Sequence, residues 1–120
     1  MAGRPARIIV VDDQLAMAET VADGLADRGY DARAVESARS ALAAVAADSV
    51  DVIISDLRMP GIDGLDLVDL VHVPVIIMTA YGAVDSEQEA LRRGAFRYLT
   101  KPFKLDELAA VVDLACGRGR

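Results

Sequence analysis

Five side chains capable of chemistry end apolar runs of the chain: Asp12 and Asp13 after Arg7-Ile8-Ile9-Val10-Val11, Asp56 after Val52-Ile53-Ile54-Ser55, Thr79 after Val75-Ile76-Ile77-Met78, and Lys101 after Phe96 to Thr100. Three carboxylates brought together repel one another unless a cation lies among them, and a small hard divalent ion with oxygen ligands resolves that repulsion. Mg²⁺ is the expected ion, because it accepts one or two carboxylates and completes its octahedron with water and phosphate oxygens. Beside such an ion, Asp56 would be the nucleophile toward a phosphoryl group, with Lys101 a second cation and the Thr79 hydroxyl a donor. Each residue alone has an ordinary explanation. Asp12-Asp13 can be a helix N-cap with a first-turn acid, Asp56 a turn residue, Thr79 a hydroxyl bonded to backbone and Lys101 a solvated charge. The shared position at the ends of successive core-type runs favours a common site.

The elements that must position these residues follow from the same pattern. Runs of four to six apolar residues bounded by breakers suit strands covered on both faces, and Pro60-Gly61 cannot continue the Asp56 run. Between the strands, Leu15 to Arg28 has apolar residues at helical spacing and is closed by Gly29. Ser37 is placed to cap a helix over Ala38 to Ala47. Helices are further expected over Leu65 to Val71, Val84 to Arg93 and Leu105 to Ala115, with Asp106 and Glu107 in the first turn of the last, where the macrodipole favours acids. Strands are expected at Arg7 to Val11, Asp31 to Val35, Val50 to Ser55, Val75 to Thr79 and Phe96 to Thr100. The weakly apolar Asp31 to Val35 suits a sheet edge. Five alternations of strand and helix with right-handed crossovers predict an α/β doubly wound parallel sheet of order 2-1-3-4-5, and its carboxyl edge collects the five residues.

Composition narrows the alternatives. A length of 120 residues suits one domain, and 53% hydrophobic with 4% aromatic residues points to an aliphatic core. A formal charge of −6 and a sequence pI of about 4.6 give no electrostatic footprint for nucleic acid or an anionic membrane. The lone Cys116 builds no disulfide framework or zinc cluster and fits a reducing cytosol. No run of eighteen apolar residues and no signal-peptide pattern occurs, so a soluble cytoplasmic protein is expected. His72, before Pro74, falls at the rim opposite the acids and reads as a loop imidazole. Cys116 reads as an inert last-turn residue. Tyr81 suits a partner contact or a plain loop ring equally.

Val10-Val11-Asp12-Asp13, Asp56-Leu57-Arg58-Met59-Pro60-Gly61-Ile62-Asp63-Gly64, Thr79-Ala80-Tyr81-Gly82 and Lys101-Pro102-Phe103 resemble the signature of bacterial response-regulator receiver domains. The resemblance covers nearly all of residues 1–120. It implies a flavodoxin-like (βα)5 fold and Mg²⁺ held by Asp13, Asp56 and the backbone carbonyl of Arg58, with Asp12 acting through water. It also implies that Asp56 is phosphorylated from a sensor histidine kinase. Thr79 and Tyr98 would form the switch pair, Lys101 would meet the phosphoryl oxygens, and the Lys101-Pro102 bond would be cis. Tyr98 comes from the resemblance alone; by itself it reads as a half-buried strand aromatic. The loops after Thr79 and Tyr98 are most similar to the nitrogen-regulator class, whose receivers precede ATPase and DNA-binding modules and can pair as homodimers on phosphorylation. No enzymatic activity beyond the domain's own phosphoryl transfer and autodephosphorylation is implied.

One departure is visible: Gly64 to Pro74 is about a turn or more shorter than the family suggests, so the third helix should be stunted. A haloacid-dehalogenase-type hydrolase would need an acid where Arg58 stands. A flavodoxin would need a phosphate loop where Asp12-Asp13-Gln14-Leu15 stands. An adaptor that is never phosphorylated normally lacks one of the three acids, and all three are present.

Overall fold

The computed structural model describes residues 4–80 and 84–117. Five strands and five helices alternate: β1 (Arg7–Val11), α1 (Leu15–Ala26), β2 (Asp31–Val35), α2 (Ala38–Ala47), β3 (Val52–Asp56), α3 (Gly64–Leu70), β4 (Val75–Thr79), α4 (Val84–Arg92), β5 (Arg97–Thr100) and α5 (Leu105–Ala115). All strand pairs are parallel and the order is β2-β1-β3-β4-β5. The flavodoxin-like architecture expected from the sequence is therefore the one found, with β2 at an edge.

Period-two alternation divides the apolar strand residues between two cores. Ile8, Val10, Val52, Ile54, Ile76 and Met78 join Ala18, Ala22 and Leu25 of α1 and Leu108, Ala109 and Val112 of α5. Ile9, Val11, Ile53, Val75 and Ile77 instead join Ala38 and Ala41 of α2, Leu67 of α3 and Ala90 of α4. This division is what right-handed crossovers require: the chain moves one way from β1 to β2, then back over β1 to β3 and onward. The change of direction makes the carboxyl ends of β1 and β3 a topological switch point.

Several element ends differ from the expected ones. α1 stops at Ala26, with Gly29 at φ 95° completing the turn. β3 begins at Val52 and extends to Asp56, because Asp51 is used as a staple: its N–H donates to the Arg7 carbonyl, while its carboxylate accepts the Arg7 N–H, both at 2.8 Å. β5 begins at Arg97 and α4 ends at Arg92. α3 spans only seven residues and starts at Gly64, one residue before the expected position, with Asp63 and Asp66 forming a reciprocal capping box. Beyond its short span, Arg93 ties α3 to the end of α4 by pairing with Asp69 and reaching the Leu65 carbonyl. The Ser37 cap forms as expected, accepting the Ser40 N–H at 3.1 Å.

Candidate functional site

β1 and β3 deliver the acids. Asp12 follows Val11 and is 2% exposed, although it carries a carboxylate. Burial of that kind is costly unless the group is bonded. One Asp12 oxygen accepts the Gln14 N–H at 2.9 Å, and the other lies 3.3 Å from Lys101 Nζ. The N-cap explanation of Asp12-Asp13 does not hold, since Gln14 is the N-cap of α1 and no acid lies in its first turn; Asp12 instead accepts two residues ahead, before the helix, and this occupies only one of its oxygens. Asp13 is exposed and Asp56 half-buried. Ligand oxygens of Asp12, Asp13 and Asp56 all lie within 4.8 Å of one another. Lys101 Nζ reaches Asp56 as well, at 3.7 Å.

Burial pushes the Asp56 carboxyl above its ordinary value, and the negative charges of Asp12 and Asp13 push the same way. Lys101 and the Leu57 N–H oppose the rise without cancelling it. The site therefore holds more negative charge than its one lysine offsets. The chemistry of this donor set fits a hard cation: carboxylate oxygens only, close together, partly open to water.

A cleft of about 370 Å³ joins the residues, lined by Asp12, Asp13, Asp56, Thr79 and Lys101 together with Gln14, Met17, Arg58 and Ala80. All five residues singled out for chemistry thus line one space. Arg58 reaches the cleft because the loop after β3 is pinned at its base. The Leu57 N–H donates to the Met78 carbonyl at 2.9 Å, and the Leu57 carbonyl accepts the Gly64 N–H at 3.1 Å. Thr79 is 1% exposed. The Thr79 carbonyl accepts the Lys101 N–H at 2.7 Å, which ties the ends of β4 and β5 together. The Lys101-Pro102 bond is cis.

Tyr98 does not line this cleft. It lies opposite Ile77 in the sheet register, with Thr79 two residues further along the same face of β4. Its ring packs against the core on the α4 side, and its hydroxyl is buried with no hydrogen-bond partner among the described residues. Tyr81 and Gly82 fall outside the described residues. His72 is exposed just before β4, at the rim away from the acids, and Cys116 is the half-buried cap of α5.

Gln14 and Met17 line the cleft without having been singled out in the sequence. The available signal was their position at the start of the helix that follows the acids. Met17 also borders an adjoining apolar hollow of about 450 Å³ with Val21, Met78, Pro102 and Phe103.

A doubly wound sheet with three acids at its switch point and a lysine across from them defines a narrow class of protein. The chain belongs to the response regulator receiver domain family, whose model matches residues 8–113. It is 44% identical over 114 residues to the response regulator protein FleR of Pseudomonas aeruginosa, covering 91% of this chain and 24% of that protein. It is 41% identical over 111 residues to the DNA-binding transcriptional regulator NtrC of Salmonella typhimurium, covering 88% of this chain and 24% of NtrC. The chain thus spans about a quarter of the length of these relatives. Among solved structures, the signal receiver domain of a putative Luxo repressor protein from Vibrio parahaemolyticus superposes with a TM-score of 0.87 at 31% identity, over 96% of this chain and 92% of that one. A response regulator protein from Burkholderia pseudomallei, solved with a phosphorylated aspartic acid, calcium ion and citrate, gives 0.81 at 28% identity, over 93% and 69%.

Proposed function

We propose that residues 1–120 form a single receiver domain that acts as a phosphoryl-accepting switch in a two-component system, with Asp56 as the acceptor. The observation that carries this reading is the gathering of Asp12, Asp13 and Asp56 within 4.8 Å, with Lys101 Nζ 3.3 Å from Asp12 and 3.7 Å from Asp56. A carboxylate oxygen of Asp56 attacks phosphorus, the P–N bond of a phosphohistidine on a sensor histidine kinase breaks, and the imidazole leaves with its electron pair and is protonated. Lys101 neutralises phosphoryl oxygens, and the Thr79 hydroxyl donates to one of them. Asp13, Asp56 and the Arg58 backbone carbonyl would hold Mg²⁺, with Asp12 acting through water. The ion, when bound, offsets the charge of the transferring group. That the Burkholderia pseudomallei relative was solved with a phosphorylated aspartic acid and a calcium ion supports the reading of an aspartate in this fold as a phosphoryl acceptor.

Output follows from charge added beside Thr79. Thr79 and Tyr98 share the sheet face that packs on α4, so movement of the hydroxyl toward a phosphoryl group gives the half-buried Tyr98 ring room to turn further inward. A pre-existing equilibrium of the surface made by α4, β5 and α5 then shifts. The domain acts in the cytoplasm, and its partners are a sensor histidine kinase and, by likeness to FleR and NtrC, ATPase and DNA-binding output modules, with homodimer formation on phosphorylation. The domain itself contacts neither nucleic acid nor membrane, and no helix among the described residues is long and apolar enough to cross one.

Incubation with a small-molecule phosphodonor and Mg²⁺, followed by intact mass measurement, should give one phosphoryl adduct in the native chain and none in Asp56→Ala. An adduct that persists in Asp56→Ala, or that forms equally with a chelator present, would overturn the assignment.

A further inference from the structure

Gly64 is not required by its backbone conformation. Among the described residues the glycines with positive φ are Gly29, Gly61, Gly94 and Gly117, and Gly64 is not one of them. It opens α3 directly after the Asp63 N-cap. The reason for glycine is space. A Cβ at position 64 would lie 2.6 Å from the Asp56 carbonyl oxygen, 3.2 Å from Leu57 Cα and 3.0 Å from Ile77 Cδ1. Two of those three neighbours are main chain and cannot rotate aside. The Gly64 N–H also donates to the Leu57 carbonyl at 3.1 Å, so the loop from 58 to 63 leaves and returns at one point. The main chain carrying Asp56 and the loop carrying the Arg58 carbonyl are therefore held by the bare Cα of residue 64.

We propose that Gly64 is a positioning residue for the cation site: its missing side chain sets where Asp56 and the Arg58 carbonyl stand relative to each other. This inference rests on the reading of the acid cluster as a Mg²⁺ site. Any side chain at 64 pushes the start of α3 off β3 and separates the two ligands before the fold itself is lost. Gly24 provides the internal comparison. A Cβ there would also be too close to a neighbour, at 2.5 Å, but that neighbour is Leu105 Cδ2, the end of a side chain that can rotate aside. The contact lies about 13 Å along α1 from Leu15.

The test measures Mg²⁺ affinity by calorimetry, and the initial phosphorylation rate at saturating Mg²⁺, in the native chain, Gly64→Ala and Gly24→Ala. Gly64→Ala should bind Mg²⁺ about tenfold more weakly and remain slow at saturation, while Gly24→Ala stays within about twofold of native in both. A folded Gly64→Ala chain with native affinity and rate overturns the proposal, as does an equal loss in Gly24→Ala. The native chain supplies a second measurement that does not depend on the variant folding. During Mg²⁺ titration the amide resonance of Gly64 should move in parallel with that of Asp56, while that of Gly24 stays fixed. A stationary Gly64 resonance overturns the proposal as well. A native chain that binds no Mg²⁺ would instead remove the cation-site reading itself, which keeps the two failures distinct.

Discussion

The two rims of the sheet use the same residue types to opposite effect. At the amino ends of the strands, Arg4 pairs with Asp51 at 3.0 Å, Arg7 with Asp31 at 3.4 Å and Asp48 at 3.7 Å, and Arg33 with Asp48 at 3.0 Å. Three arginines meet three aspartates, and the charges close. At the carboxyl ends, three aspartates gather beside one lysine that pairs with two of them, Asp12 and Asp56, with Arg58 exposed and lining the same cleft. Charge there is left over. Acidic residues at a sheet edge are thus uninformative by themselves; what distinguishes the candidate rim is the missing compensation, which a bound dication can supply.

Replacement of Lys101 tests that distinction most severely. Lys101→Met should lower the phosphorylation rate about 100-fold, as expected when a preorganised charge is removed from a developing anion. Its Mg²⁺ affinity should not fall, because the acids lose a competing cation. A rate within threefold of native would detach Lys101 from the chemistry. The next effect in size is the response to the ion. Mg²⁺ at about 100 times its dissociation constant should stabilise the native chain by about 2.7 kcal/mol, a rise in Tm on the order of 10 °C. Asp13→Asn should lose most of that rise by differential scanning calorimetry. An undiminished rise would place the ion elsewhere.

The carboxyl rim was legible in the sequence because both sheet faces are buried, whereas the ion pairs of the amino rim were not read from it. Continuous apolar runs marked β1, β3 and β4, and the acids and the hydroxyl that end those runs had to emerge at one edge once the strands were parallel. Lys101 followed in the same way from a weaker run. Residues whose roles depend on distance between elements were not legible by pattern. Tyr98 occupies an ordinary strand position, and only its register opposite Ile77, two residues before Thr79, gives it a relation to the cleft. Asp51 was counted within an expected strand, whereas it staples β1 to β3 through its side chain. The contribution of Met17 to the cleft depends on the direction in which α1 leaves Asp12, which helical spacing does not specify.

A smaller effect isolates the excess charge without the ion. Burial and the neighbouring acids raise the folded-state value of Asp56 above that of the unfolded chain. Between those two values the folded form holds more protons, so stability of the Mg²⁺-free protein falls as pH rises through the window and stays lower above it. Asp56→Asn should therefore raise the Tm in chelator by about 2 to 4 °C near pH 7.5. The gain should vanish at a pH below the ordinary carboxylate range, where native Asp56 is itself protonated. A gain equal at both pH values would indicate a packing effect and not relief of repulsion.

The smallest effect belongs to the compensated rim, and there the sign reverses. Asp48 accepts from Arg33 and lies near Arg7, with each partner substantially exposed to solvent. Exposed pairs of this kind contribute about 0.2 to 1 kcal/mol, because water screens the attraction and the long side chains lose freedom. Asp48→Asn should lower the Tm by about 2 °C, with the loss shrinking further in 1 M salt as the Debye length contracts to about 3 Å. The Mg²⁺-dependent rise in Tm should be unchanged, since the strands separate this residue from the acids at the opposite edge. Removing a carboxylate would then destabilise one rim and stabilise the other in the same chain. If Asp48→Asn instead stabilised the protein, or weakened its response to Mg²⁺, the amino rim would not be the balanced counterpart that its ion pairs describe.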